Sequence, residues 1–141
     1  MTAREYLNQY RDACRAAKRL RQEYEREYEL IDAVRSTADI DGLPRGNGVS
    51  KIVEERAVRL ADKAAEWKIA ELDALHLRQK VFEMAISIGG DESEVLIERY
   101  INLRTWREVC VTVHWSWSKV DSLHKNGLVK VEEKIKQESA H

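Results

Sequence analysis

Proline occurs once in this chain of 141 residues, glycine six times and cysteine twice. So few chain breakers argue against a sheet-rich protein and for long helices. The cysteines, Cys14 and Cys110, are far apart, with no C-x-x-C near a histidine pair. Both therefore read as reduced, structural thiols rather than halves of a disulfide framework or a zinc site.

No apolar run is long enough to span a bilayer, and the opening Met-Thr-Ala-Arg-Glu-Tyr lacks the basic-then-apolar build of a secretory signal. The expectation is a cytoplasmic protein with no membrane partner. A formal net charge of -1 gives no global pull towards nucleic acid or membrane.

Catalytic signatures are missing too. His76, His114, His124 and His141 form no H-E-x-x-H, and no nearby carboxylate or thiol spacing makes a closed metal site. Gly42 to Gly48 lacks the Gly-Lys-Ser/Thr ending that lets a P-loop cradle phosphates. Acidic residues on the helical stretches alternate with basic ones as on a solvated face. No catalytic residue, metal or cofactor is expected, and the chain does not read as an enzyme.

What is present is helical periodicity in two long blocks. Residues 1–38 form the first, opened by a Thr2/Glu5 capping box, with Leu7, Tyr10, Cys14, Ala17, Tyr24, Tyr28 and Ile31 as its apolar stripe. Residues 39–50 gather three glycines and the only proline, so the chain leaves the helix there, and Ser50 is placed to cap the next one. The second block, 51–88, carries Val53, Ala57, Leu60, Ala64, Trp67, Leu72, Leu75, Phe82 and Ile86. That stripe drifts slowly around the helix, as expected of helices that wrap a partner. Folded back on each other, the blocks make a long antiparallel hairpin too thin to bury both stripes. Homo-oligomerisation through the long helices is the expected remedy.

Gly89-Gly90 closes the second block, and Asp91 with Glu94 gives a further cap signal ahead of a support helix with Val95, Leu96, Ile97, Tyr100 and Ile101. Residues 91–141 then form a small domain. In it Thr105 and Glu108 make a second capping box, Val109 and Val113 share a face, Trp115 falls in a turn, and Val120 and Leu123 share a face of the following helix. That is helix-turn-helix spacing. Ser116 is the N-cap of the second helix, which leaves Trp117, Ser118, Asp121, Ser122 and Lys125 pointing outward. Trp67, Trp106 and Trp115 read as core. The domain holds eight basic and nine acidic residues, but Lys119, Lys125 and Lys130 cluster locally against Asp121 alone.

The run Val95-Leu96-Ile97-Glu98-Arg99-Tyr100-Ile101, then Thr105-Trp106-Arg107-Glu108-Val109, Trp115-Ser116, Val120 and Leu123-His124 resembles region 4 of sigma factors. It is closer still to the small phage regulators of the ArpU and RinA type and their prophage relatives, most strongly over residues 94 to 131. The resemblance implies transcription control. Ser116 to Lys125, Lys119 included, would be the recognition helix on double-stranded DNA, and Arg99, Arg104 and Arg107 would contact the DNA backbone or RNA polymerase. Two departures stand out: His114 occupies the turn position often held by glycine, and Asp121 lies where a neutral or basic group is usual. The fold class expected is thus all-α, a long antiparallel helical hairpin followed by a helix-turn-helix domain. The function expected is sequence-specific regulation of late phage genes. The alternative is a non-catalytic helical module that binds a protein, such as host RNA polymerase, without reading DNA.

Overall fold

The computed structural model describes residues 1–40 and 47–140. Among these it is entirely helical: α1 (Ala3–Leu7), α2 (Gln9–Ile40), α3 (Asn47–Ile88), α4 (Gly90–Leu96), a π-helical turn (Ile97–Ile101), α5 (Trp106–Val113) and α6 (Trp117–Ser139). No described helix is long and apolar enough to cross a membrane. Met1–Ala13 together with Asp73–His141 form one compact unit, and Cys14–Leu72 form another.

Within the Cys14–Leu72 unit, α2 and α3 run in opposite senses, since Glu27 binds Arg56 at 3.3 Å while the earlier Glu23 binds the later Lys63 at 3.0 Å. The contact is a seam stepping alternately by three and four residues, as in a coiled coil. Ala17, Leu20, Tyr24, Glu27 and Ile31 supply α2's side, and Val53, Arg56, Leu60, Lys63, Trp67 and Ala70 supply α3's; all are buried or half-buried. Tyr24 and Trp67 stack obliquely with centroids 5.5 Å apart, and the Arg21 guanidinium lies 5.9 Å from the Trp67 ring.

This seam corrects the sequence expectation in several places. Tyr28, placed in the stripe, is 57% exposed. The seam steps from Tyr24 to Glu27 instead, a charged residue that a search for apolar periodicity passes over. On α3, Ala57, Leu72, Leu75 and Ile86 are exposed, and the buried path runs through Ala74, Val81, Met84 and Ala85.

Helix boundaries differ as well. Asn8 interrupts the first block, with its N–H bonded to Arg4 O at 2.9 Å before α2 begins. α3 already starts at Asn47, so Ser50 lies inside it and caps nothing. The expected break at 39–50 falls largely outside the described residues; 39 and 40 end α2, and 47–50 belong to α3.

In the other unit, Ala3, Tyr6 and Leu7 pack with Val81, Met84, Ala85, Leu96, Tyr100, Ile101 and Val131. The Thr2/Glu5 capping box starts α1 as expected. Gly89 and Gly90, at φ 73° and 64°, turn the chain from α3 into α4, a backbone that side-chain-bearing residues adopt at a cost. Gly89 is the N-cap of α4, so Asp91 lies inside that helix rather than capping it. The π turn is closed by Asn102 N–H to Ile97 O at 3.0 Å, and Tyr100 and Ile101 within it are both buried. Gly127 lets α6 approach Leu96, whose Cδ1 would lie 3.3 Å from an added Cβ.

Candidate nucleic-acid interface

α5 begins because Thr105 Oγ1 accepts from Glu108 N–H at 3.3 Å, and the Glu108 carboxylate accepts in return from Thr105 N–H at 3.4 Å. It ends because His114 takes the left-handed conformation, φ 59° and ψ 37°, with its N–H bonded to Cys110 O. Histidine fills a position usually reserved for glycine, at a conformational cost. Ser116, extended at φ -67° and ψ 158°, starts α6 by accepting from Lys119 N–H at 3.4 Å. Three residues thus separate two helices, each with a capped start.

Val95 from α4, Val109 from α5 and Val120 from α6 are fully buried against one another. Trp106, Cys110, Val113, Trp115 and Leu123 close over them. These side chains fix α6 against its two supports, so its outer face is set by packing rather than by a mobile loop.

A second tie is polar. Tyr100 Oη and His124 Nε2 lie 2.7 Å apart in the interior. Burial raises the Tyr100 phenol, while burial and the Arg4 and Arg99 charges depress His124 from 6.5 to about 4. Both shifts favour the neutral groups, so the phenol donates and the imidazole accepts. The Trp106 ring meets His124 edge-on at 4.5 Å. Sequence inspection overlooked this pair, since a lone histidine and a tyrosine 24 residues apart carry no local signal.

The expected site residues separate into three groups. The first is spent internally. Ser116 is the cap, and the Lys119 ammonium lies 4.1 Å from the Trp115 ring centroid. The Arg99 guanidinium sits 4.6 Å from the Trp106 centroid and donates to Arg104 O at 2.9 Å, while Arg104 binds Glu98 at 2.6 Å. The second group is shared: Asp121 is half-buried and bridges to exposed Lys125 at 2.9 Å, and Trp117 is 52% exposed yet meets Trp106 edge-on at 5.5 Å. The third, Ser118 and Ser122 on α6 with Arg107 on α5, is exposed.

α6 buries Val120, His124, Gly127 and Val131. Shifting that set back by two residues, a rotation of about 200°, gives the outward set Ser118, Ser122, Lys125 and Val129. All four are exposed, as is Asn126 beside them. The face therefore runs beyond the two helical turns expected from the sequence. Helical periodicity alone could have found Asn126 and Val129, had the outward set been carried past Lys125.

Among the described residues, no group of three or more His, Cys, Asp or Glu is placed to hold a metal ion. Chemically, the face offers hydroxyl and carboxamide donors and acceptors, one apolar side chain and the Lys125 ammonium, bridged to Asp121. No family model matches this chain, and no similar curated protein or solved structure was found.

Proposed function

We propose that the chain is a sequence-specific DNA-binding regulator of transcription, of phage or prophage origin, acting in the cytoplasm with RNA polymerase on late genes. On this reading α5, the turn and α6 are a helix-turn-helix in a chain that also carries a long antiparallel hairpin, and α6 enters the major groove. The observation that carries it is the outward face of α6: Ser118, Ser122, Lys125 and Asn126 stand exposed on a helix whose opposite face is locked by Val120, His124 and Val131. Fixed backbone with small polar and basic side chains outward is what base readout requires. Lys125 and Arg107 are the phosphate partners, while Lys119 braces the Trp115 ring at the turn. Arg99 and Arg104 brace the turn before α5.

Near-neutral charge predicts modest affinity, which a second copy joined through the long helices or the polymerase would raise. Binding of labelled duplexes tiled across the DNA that encodes the protein, at stepped salt, tests the proposal. A preferred tile with a steep salt slope is expected, flattened by about one unit in Lys125→Ala. Absence of binding even at low salt overturns it.

One observation favours a second reading. Val58, Ile69 and Leu72 on α3 are 64%, 61% and 62% exposed, an apolar stripe opposite the seam. If DNA binding fails, a protein-binding helical module replaces the regulator.

A further inference from the structure

The length of α6 bears on how the outward face meets a groove. At 1.5 Å per residue its 23 residues span about 35 Å, much longer than the end-on contact of a short recognition helix. A helix of that length has room to lie in the groove with its middle turns, not its first turn, deepest against the base edges, as the long recognition helix of a homeodomain does. The exposed residues there are Ser122, Lys125, Asn126 and Val129. Their spacing is i, i+3, i+4, i+7, the spacing with which the long recognition helix of a homeodomain presents its base-contacting side chains; there the i+4 position is an asparagine on adenine.

On the chemistry of that set, and resting on the DNA-reading proposal above, we infer that Asn126 reads an adenine and Val129 the methyl group of a nearby thymine. The Asn126 carboxamide has one acceptor and two donors, the complement of adenine N6–H and N7. It is exposed, with no hydrogen bond from its side chain within the described residues, so it is free to turn to a base. Val129, 57% exposed one turn further on, has no core role to explain an apolar side chain at that position. Contact with a thymine methyl would give it one. Lys125, bridged to Asp121, is held over the same stretch of groove. Asp121 takes part as the anchor of Lys125 instead of as a base reader.

The test is selection of duplexes from a random library at low salt by the full chain and by Asn126→Ala. The wild type is expected to select an A·T-containing site. The variant should lose preference at one adenine by roughly 5- to 150-fold and keep it elsewhere. Replacing that adenine by 7-deazaadenine, which lacks the N7 acceptor, should weaken the wild type and leave Asn126→Ala unchanged. This probe does not depend on how the variant folds. Uracil in place of the neighbouring thymine should weaken the wild type but not Val129→Ala. A wild type that selects a site which Asn126→Ala selects equally, and which tolerates 7-deazaadenine throughout, overturns this inference and leaves DNA reading intact. A wild type that selects nothing overturns both.

Discussion

Two histidines show opposite uses of one residue type. His124 is buried and neutral, accepting from Tyr100. Its depressed folded value means that the unfolded chain binds the proton first. The contribution to stability is therefore complete above about 6.5 and is lost as pH falls towards about 4. The fall in Tm between those values should be smaller in His124→Gln than in the wild type; parallel curves would show that the imidazole does not titrate in the folded core. His114, in contrast, is exposed and sits at positive φ. His114→Gly should raise stability by up to about 1 kcal/mol by urea unfolding, since glycine adopts the left-handed backbone without the Cβ penalty. Serine and threonine act most locally of all: Thr2, Thr105 and Ser116 start helices at the positions their spacing announces, because a cap needs only residues within one turn.

Among the elements, α3 is unusual in having two lateral faces that want partners. Its seam face carries Arg56 and Lys63, whose charges are met by Glu27 and Glu23; the hydrogen bond and charge of Glu23 hold the Lys63 ammonium above its ordinary value. Charged residues at seam positions fix register at the expense of stability. The opposite face carries no such charges in its apolar row. Ile69→Ser with Leu72→Ser should therefore lower oligomer mass in sedimentation with little change in Tm. Leu60→Ala, which truncates a half-buried seam residue, should instead cost stability, about 2 kcal/mol, the low end of the range for a core leucine. A wild type that sediments as a monomer at every concentration would remove self-association. The seam was only partly legible in the sequence: Ala17, Tyr24, Ile31, Val53, Leu60 and Trp67 stood in the two stripes, but Glu27, Arg56 and Lys63 interrupt the apolar pattern, and exposed Leu72 and Leu75 imitate its continuation.

At the scale of the molecule, the domain read from residues 91–141 does not supply its own core. Leu7, Val81, Leu96 and Val131 are each fully buried in one cluster, and two of the four come from outside that range. Leu7→Ala should cost about 2–5 kcal/mol in urea unfolding of the full chain, a large share of a typical domain's stability. Residues 91–141 expressed alone should give poorly dispersed amide spectra; sharp, dispersed signals would show that α1 and α3 are dispensable to this core. Local features were settled by the sequence alone: all-helical character, the capped starts of α1, α5 and α6, and the inward faces Val109/Val113 and Val120/Leu123 of α5 and α6. Each depends on neighbours a few residues away or on a short periodic run. Only tertiary structure decided the partners of Ala3, Tyr6 and Leu7, the charged seam, the π turn at Tyr100, the Tyr100–His124 bond and the full extent of α6's outer face. Those depend on which distant surfaces meet, and burial, unlike a cap, is a property of the meeting and not of the strand of sequence that takes part in it.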